Sequence, residues 1–309
     1  VFDKVFSQSI PMKWRIMHDR LGRKTILPYG QYESENILTV SRHHLFQTLF
    51  DWCLKTNSID INFECKFVDF DSKKKLSLIK DAQNIIREHK SSIIIGADGV
   101  NSGVREAINN RSNTKFHTSY FPMSYKELSI DRKNATNIEF HAMHVWARQG
   151  FMLVAQPNID GSFTSALLMP ESGNEISFHE INSPSKIRVL FDAHLKDTSV
   201  LIDNLEAQYL ARRTGKLKII RGTSWCCDNF VVLIGDAAHG MVPFFGQGVN
   251  CCFADCTYLT SLLERTNDNW AQALHDFDKN RVTEANAINT MSYENYPELL
   301  ADTNIDKTL

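Results

Sequence analysis

The fold is decided by one stretch of the chain, residues 232–250, which reads VLIGDAAHGMVPFFGQGVN. It begins within a short apolar run, Phe230 to Ile234, whose length and composition are typical of a buried strand. Asp236 comes at the carboxyl end of that strand, where open α/β sheets bind ligands and where a carboxylate suits a sugar-like hydroxyl. A helix is predicted from about Asn250 to Glu264. Residues 246–250 should therefore present unpaired backbone N–H groups that stabilise negative charge.

A second loop has the same organisation. Residues 93–105 read IIIGADGVNSGVR, which predicts a strand, a turn with two glycines and the start of a helix. The glycines allow close approach of the backbone to a ligand, and Asp98 can accept hydrogen bonds from hydroxyls or order the loop. An alternative remains open, in which Asp98 only caps the helix. The two loops together indicate a ligand-binding site more specifically than either loop alone.

Composition excludes several classes of protein. The 309 residues are 43% hydrophobic and 23% charged, which is enough to bury a sizeable core. The net charge of −2 gives no reason to expect a nucleic-acid or anionic-membrane partner, and no apolar run reaches the roughly 18 to 20 residues of a membrane helix. The odd number of cysteines, without paired CxxC spacing or a secretory leader, predicts structural thiols in a reducing compartment and no metal site: Cys53, Cys65, Cys226, Cys227, Cys251, Cys252 and Cys256.

Helices and strands are interspersed, which predicts an α/β fold. Strands are expected over the first thirty residues with a turn at Gly22, over 61–70, 76–79 and 92–95, and in an antiparallel sheet from about 116 to 169. Helices are expected after Ser41, over 184–195 and 203–213, and from Trp270 to about Asn295, with Pro297 stopping or kinking the last one.

Two helices have a recognisable apolar stripe. In the helix after Ser41, the spacing predicts that Leu45, Leu49 and Trp52 or Cys53 face the core. In the helix after Asn250, the predicted buried stripe is Cys251, Ala254, Tyr258 and Leu262.

The two loops resemble the FAD-contacting motifs of the class A flavin monooxygenases. Asp98-Gly99 and Gly235-Asp236 occur in that order, about 140 residues apart. Residues 243–250, PFFGQGVN, are similar to the PFFGQGMN loop of the kynurenine 3-monooxygenase family, with Val249 in place of Met. Segments 11–19, around Tyr29, 41–42 and 160–165 match the same family in the same order, so that the resemblance spans nearly the whole chain.

The resemblance implies an FAD-binding fold of the p-hydroxybenzoate hydroxylase type with a mixed-sheet substrate domain. Residues 30–110 and 223–309 would form the FAD-binding domain, incomplete here, and residues 1–29 and 111–222 the substrate-binding sheet domain. Family members open with a strand, a GxGxxG turn and a helix, and no such turn occurs in this sequence. The chain is therefore expected to be a truncated piece with weak or no affinity for FAD.

The resemblance also assigns residues. The cofactor would be contacted by Arg42, Phe67, Asp98, Gly103, Asp236, Val249 and Asn250. The substrate carboxylate would be held by Arg15 and Tyr29, and the rest of the substrate by Asn295, Pro243, Phe244 and Gln247. Met152 and Val154 would line the other side of the ring, with Gln156 polar where an apolar residue is expected. No catalytic protein residue is implied, and His239 is expected to order its loop.

The implied reaction uses FAD, NADPH and O2 to hydroxylate L-kynurenine to 3-hydroxykynurenine, a step toward pyridine nucleotides. Some members sit on the cytosolic face of the mitochondrial outer membrane through a C-terminal anchor. The resemblance implies this location for the full-length protein, and this chain alone is expected to be soluble because it carries no such anchor. Two alternatives remain: a hydroxylase of another aromatic acid, and a non-catalytic remnant of the fold that only binds a ligand or partner.

Overall fold

The computed structural model describes residues 1–32, 34–111, 116–173 and 175–300, with the backbone alone for 298–300. The helices in these ranges are α1 (Phe2–Ser7), α2 (Arg42–Leu54), α3 (Gly103–Asn109), α4 (Pro184–His194), α5 (Lys196–Ser199), α6 (Leu205–Ala211), α7 (Asp236–His239), α8 (Gly248–Arg265) and α9 (Trp270–Leu300). The strands are β1 (Ile10–Met12), β2 (Trp14–His18), β3 (Lys24–Pro28), β4 (Ile37–Thr39), β5 (Lys66–Asp71), β6 (Leu76–Lys80), β7 (Ile86–Lys90), β8 (Ile94–Gly96), β9 (Phe116–Ile130), β10 (Ala142–Arg148), β11 (Phe151–Pro157), β12 (Phe163–Pro170), β13 (Gly215–Gly222), β14 (Cys226–Cys227) and β15 (Val231–Leu233).

These elements form two units, each assembled from separated segments. Within the described residues, unit 1 comprises Val1–Ile61, Pro122–Lys216 and 299–300, and unit 2 comprises Asn62–Phe121 and Leu217–Glu298. The division falls within β9 and β13. It differs from the predicted domain boundaries at residues 30–61, which group with unit 1 rather than with the segment that follows them. The functions predicted for the two domains stay predictions.

Unit 1 contains most of a large mixed sheet. Its strand order is β13-β9-β12-β11-β10-β2-β3. The β2–β10 pair is parallel, whereas the β2–β3, β10–β11, β11–β12 and β12–β9 pairs are antiparallel. The turn between β2 and β3 contains Gly22 at a φ of +78°, a conformation that favours glycine, as the sequence predicts. The register sets Arg15 of β2 opposite Met143 of β10, so both side chains lie on the same face.

Helices α4 and α6 cover one face of this sheet. Ile187, Leu190 and Phe191 of α4 and Tyr209 of α6 pack in one core with apolar side chains of β9 to β12. Both helices were predicted, with ends that differ by one or two residues. Ser183 caps α4 by accepting the N–H of Lys186, as is common at helix starts.

Unit 2 contains two three-stranded sheets and the two longest helices of the described chain. The sheets have the orders β14-β15-β8 and β5-β6-β7, and β8 pairs in parallel with β15. Trp225, Phe230 and Phe277 are fully buried, in one core with residues of α8 and α9. This packing buries β15 completely, which explains its unbroken apolar sequence.

Both predicted helix stripes need correction. In α8 the buried positions are Cys251, Asp255, Leu259 and Leu262, whereas Ala254 is exposed. The true stripe follows the spacing i, i+4, i+8, and it was missed because Asp255 is charged. In α2 the fully buried residue among those described is Thr48. Leu45, Leu49 and Cys53 of the predicted stripe are half buried, and Trp52, the alternative to Cys53, is half exposed.

Three other features differ from the sequence-based expectations. Helix α9 continues through Pro297 to Leu300, so the predicted early stop is wrong. Helix α1 was not predicted, and neither was β7, whose five residues are all exposed. The five residues of β7 have no apolar alternation, and α1, where an extended segment was expected, has Phe2, Val5 and Phe6 at helical spacing but is only six residues long and buries none of them.

Candidate cofactor and substrate site

Two parallel strands of unit 2 bring the two loop motifs to one edge of a sheet. Gly96 of β8 lies opposite Leu233 of β15, and the N–H of Ile234 donates to the carbonyl of Gly96 at 3.0 Å. Asp98 and Asp236 follow the carboxyl ends of these strands, and both side chains are exposed. The carboxyl ends of parallel strands are where ligands bind in α/β sheets.

Asp98 orders its loop and shares the capping of α3 with Ser102, whose hydroxyl accepts the N–H of Arg105 at 2.9 Å. Oδ2 of Asp98 accepts the N–H groups of Gly103 at 2.8 Å and Val104 at 3.2 Å, and its Oδ1 accepts the Ser102 hydroxyl. A Cβ added to Gly103 would lie 3.6 Å from the carbonyl oxygen of Phe67. Three residues predicted to contact the cofactor, Phe67, Asp98 and Gly103, are therefore neighbours.

The turn at Gly235 requires a glycine for two reasons. Its φ of +59° and ψ of −147° lie in a region that other residues rarely occupy. A Cβ there would also lie only 3.0 Å from the sulfur of Cys252, on α8. Burial, with the nearby carboxylate of Asp236, raises the pKa of Cys252 to about 12, so this thiol stays protonated beside the turn.

The first turn of α8 leaves its backbone N–H groups uncapped. The first intrahelical bond runs from the N–H of Cys251 to the carbonyl of Gln247, and no side chain of the described chain caps the residues before it. Val249 is 51% exposed, and Asn250 is exposed as well. The amide of Asn250 donates to Oε1 of Gln247 at 3.1 Å. This helix start faces away from the core of unit 2, as an anion-stabilising site requires.

The loop before α8 is held by an asparagine of α9. Nδ2 of Asn295 donates to the carbonyl of Phe244 at 2.7 Å, which joins two of the predicted substrate-contacting residues. The ring of Phe244 is buried and packs on Phe121 and Tyr296, with ring centroids 5.1 Å and 4.9 Å away. Pro243 is exposed.

In unit 1, Arg15 and Tyr29 lie together as predicted residues of a carboxylate clamp. The guanidinium carbon of Arg15 is 5.6 Å from the centre of the Tyr29 ring. Nε of Arg15 is buried and has no hydrogen-bond partner among the described residues. Burial raises the pKa of Tyr29, although the guanidinium opposes that shift. The Tyr29 hydroxyl lies 3.8 Å from the weak acceptor Sδ of Met143 and also faces the guanidinium of Arg15.

The same face of the sheet carries Gln156. Its Nε2 lies 3.5 Å from Sδ of Met143, and its side chain is exposed. Met152 is fully buried and Val154 is half buried on the same strand. Arg42 is the exposed first residue of α2, where Ser41 accepts the N–H of His44 at 3.2 Å, as the predicted cap requires.

A buried polar cluster behind the Gly235 turn was not predicted from the sequence. Nε2 of His239 donates to Oδ2 of Asp255 at 2.6 Å. Burial alone lowers the pKa of His239, but the bond to Asp255 and the nearby Cys251 outweigh burial and raise the pKa to about 9. His239 therefore stays protonated near neutral pH and orders the loop that contains it. The signal available in the sequence was the i, i+4 spacing of Cys251 and Asp255.

The same cluster groups three possible metal ligands. Donor atoms of His239, Cys251 and Asp255 lie within 4.8 Å of one another. However, Arg281 donates to Oδ1 of Asp255 from Nε at 3.1 Å and from Nη2 at 2.7 Å. A guanidinium at that position repels a cation. We therefore interpret the cluster as a buried ion-pair network.

Comparison with known proteins identifies the family. The profile of the family described as FAD binding domain matches residues 30–289. A kynurenine 3-monooxygenase of Flavobacterium johnsoniae is 32% identical over 314 residues, which cover 100% of this chain and 69% of that protein. The chain belongs to the kynurenine 3-monooxygenase family of FAD-binding proteins. Another member, from Myxococcus xanthus, is 35% identical over 300 residues, which cover 96% of this chain and 64% of the relative's length.

Solved structures show the same fold. The tetrameric form of 2-methyl-3-hydroxypyridine-5-carboxylic acid oxygenase matches with a TM-score of 0.77 at 20% identity, over 98% of this chain and 78% of that one. Klebsiella pneumoniae HpxO, complexed with FAD and uric acid, matches with a TM-score of 0.71 at 15% identity, over 98% and 76%. The predicted fold class is confirmed. Among the described residues, no helix combines the length and the apolar character that crossing a bilayer requires.

The residues of unit 2 fit the FAD that its family binds. Gly103 has no side chain that would block a ligand from the nearby carbonyl of Phe67. The carboxylate of Asp236, which follows the Gly235 turn, is exposed. The uncapped start of α8 lies against the same turn through Cys252. A bound flavin requires acceptors for the hydroxyls of its ribityl chain, backbone that it can approach closely, and N–H groups that face its ring.

Proposed function

We propose that this protein is an FAD-dependent monooxygenase that hydroxylates the ring of L-kynurenine, with NADPH and O2 as co-substrates, to give 3-hydroxykynurenine. The observation that carries the proposal is the side chain of Arg15, whose buried Nε has no partner among the described residues and which lies against Tyr29. A buried, unsatisfied guanidinium N–H is unfavourable, and a bound carboxylate would satisfy it. The names of the relatives support kynurenine as the source of that carboxylate.

The cofactor-contacting roles follow from the geometry of unit 2. Asp236 would accept hydroxyls of the ribityl chain, and the N–H groups of Val249 and Asn250 would stabilise negative charge on the pyrimidine edge of the flavin. Phe67 and Gly103 would line the cofactor, with Asp98 holding their loop. Arg42 remains a proposed contact from unit 1.

The chain supplies binding and orientation, while bound FAD supplies the oxygen chemistry. Arg15 would form a charged pair with the substrate carboxylate, and the hydroxyl of Tyr29 would donate to it in place of the weak Met143 contact. Val154 and Met152 would shield the aromatic ring from water. Asn295, Pro243, Phe244 and Gln247 stay proposed substrate contacts. No protein nucleophile is required.

A related substrate is the second candidate. Gln156 presents an exposed amide whose nearest acceptor in the described structure is the thioether of Met143, a poor partner for an N–H donor. An aromatic acid with a polar ring substituent would use that amide better than an apolar ring edge. Replacement of Gln156 by Leu should then reduce turnover of that substrate and leave turnover of kynurenine unchanged or raised.

Flavin and substrate assays test the proposal. The purified full-length protein should bind FAD and oxidise NADPH faster when kynurenine is added, whereas the 309 residues alone are expected to bind FAD weakly or not at all. Replacing Arg15 with Ala should weaken kynurenine binding by about thirtyfold or more, because a charged pair contributes roughly 2 to 3 kcal/mol. Arg23→Ala is the matched control. Arg23 is an exposed residue of the same hairpin, its ion-pair partner among the described residues is Asp19, and its loss should change binding by less than twofold.

Two results would contradict the proposal at different levels. Unaltered kynurenine affinity in the Arg15→Ala variant would contradict the proposed carboxylate clamp but not the proposed flavin chemistry. Absence of both flavin binding and kynurenine-stimulated NADPH oxidation would contradict the proposal that the protein is a monooxygenase. Attachment to the mitochondrial outer membrane stays a separate proposal, to be checked by fractionating cells that express the tagged protein.

A further inference from the structure

The carboxylate of Asp255 is fully buried in unit 2 and accepts four hydrogen bonds. Oδ2 accepts the N–H of Gly235 at 2.8 Å and Nε2 of His239 at 2.6 Å. Oδ1 accepts both nitrogens of the Arg281 fork, at 3.1 Å and 2.7 Å. A buried carboxylate is tolerated only with such complete pairing, because an unpaired charge in the interior is strongly destabilising.

The two oxygens of Asp255 have different neighbours. One faces the Gly235 turn and the other faces α9, through Arg281. An asparagine could not replace both, because its NH2 group would meet either the donors Gly235 and His239 or the donors of Arg281. The site therefore requires a charged carboxylate.

The bond to Gly235 connects this buried network to the ligand side of the sheet. Gly235 has a φ that few residues adopt, so its conformation must be stabilised by its surroundings. The carbonyl of the same residue accepts the N–H groups of Ala238 and His239, each at 2.9 Å, which starts α7. Asp236, the next residue, takes its direction from this turn.

We infer that Asp255, held by Arg281 and His239, is a positioning residue that fixes the Gly235–Asp236 turn in the conformation that binds the flavin ribityl chain. The inference rests on the proposed function only in its identification of the flavin as the ligand of Asp236. The anchoring of the turn stands on the hydrogen bonds alone.

The first measurement concerns the turn without flavin. In the Asp255→Asn variant, amide hydrogen exchange over residues 235–240 should speed up at least tenfold in the flavin-free protein, because an asparagine cannot accept from the Gly235 turn and from Arg281 at once, and the bond that fixes the Gly235 N–H is lost or weakened. The matched control is Glu284→Gln, which removes the exposed second partner of Arg281 and should leave this segment unchanged. Unchanged protection in Asp255→Asn would overturn the inference whether or not the protein binds FAD.

The second measurement concerns flavin binding, followed by quenching of FAD fluorescence. Asp255→Asn should raise the dissociation constant at least tenfold, and Glu284→Gln should change it by less than twofold. Asp236→Ala should weaken binding as well. In the double variant of Asp236 and Asp255, the loss should equal that of Asp236→Ala within twofold, since Asp255 acts through Asp236.

Losses that multiply in the double variant would overturn the positioning role, because a general loss of stability is independent of Asp236. If Asp255→Asn does not fold, the double variant Asp255→Leu with Arg281→Met removes the buried Asp255–Arg281 ion pair, which proteins often tolerate, and His239 without its carboxylate partner can lose its proton. That folded variant should still lose protection at 235–240 and affinity for FAD. A wild-type full-length protein that binds no FAD would contradict the proposed function, while the exchange measurement would still decide the anchoring.

Discussion

The sequence identifies Asp98 as a functional candidate but does not decide between two roles. Its position after a buried strand predicts either a ligand contact or a helix cap. The structure establishes the cap, through its bonds to the N–H groups of Gly103 and Val104. The carboxylate is exposed, so capping does not prevent a further contact with a ligand.

The cap can be separated from the cofactor contact by substitution. Asp98→Ala should reduce the free energy of unfolding by about 1 kcal/mol, the usual effect of losing an N-terminal cap, and Asp98→Asn by less, because one oxygen remains as acceptor. Urea unfolding gives both values. Glu106→Ala is the control: it removes an exposed acidic residue of the same first turn and should cost no more than about 0.5 kcal/mol. Equal effects of all three substitutions would contradict the capping role.

Residues that depend on distant packing could not be predicted. The motifs pointed to Asp98, Asp236 and the start of α8 because those signals are local: a strand, a glycine and a helix start. Asp255 and Arg281 carry no local signal, since their pairing exists only after α8 and α9 pack side by side in unit 2. A charged residue on a helix is usually solvated, so the sequence favours the opposite interpretation.

At the scale of elements, apolar periodicity decided what was predicted. β15 and α4 were found because their buried faces are apolar throughout. β7 was missed because all of its residues, Ile86–Lys90, are exposed on the edge of its sheet. The α8 stripe was shifted because its buried face includes Asp255. The helix itself was right, as were the buried positions of Cys251 and Leu262, whereas Asp255 and Leu259 were missed and Ala254 is exposed.

The junction between β15 and α7 gives a prediction at this scale. Gly235→Ala should destabilise the protein by about 2 kcal/mol, because the residue combines a positive φ with a Cβ position 3.0 Å from Cys252. Gly248→Ala is the matched control, since nothing lies within 4 Å of its Cβ position and it starts a helix. Urea unfolding of both variants checks this. Comparable stability of the two would mean that the turn adapts and does not require glycine.

At the scale of the whole molecule, the two units bury histidines in opposite charge states. In unit 1, burial together with the neighbouring His144 lowers the pKa of His18 to about 3, and the ring stacks on Trp146 with centroids 4.3 Å apart. Charged groups near it are Lys24, Arg148, Asp19 and Asp197. In unit 2, His239 has its pKa raised to about 9 by its carboxylate partner. The two units should therefore respond differently to pH.

The signs follow from linkage between protonation and folding. An unfolded histidine titrates near pH 6.5. Below that pH the unfolded chain binds a proton at His18 that the folded chain excludes, so stability falls as the pH drops from about 6.5 toward 3. For His239 the folded chain keeps its proton longer. That contribution is complete below about 6.5 and is lost as the pH rises through about 9.

Urea unfolding of the full chain between pH 5 and pH 9.5 should therefore show losses on both sides of neutrality. We expect His18 to account for about 2 kcal/mol between pH 6.5 and 5, and His239 for about 3 kcal/mol between pH 6.5 and 9. His18→Gln should reduce the loss only on the acid side, where burial also lowers the pKa of His144 and of His194, and His239→Gln should reduce it only on the alkaline side, because glutamine does not titrate. Each variant thus serves as the control for the other. Each ring contacts ionisable groups of its own unit: Asp255 and Cys251 lie around His239, and His144 lies beside His18. A variant that altered the acid and the alkaline side equally would therefore contradict the assignment of each side to one histidine.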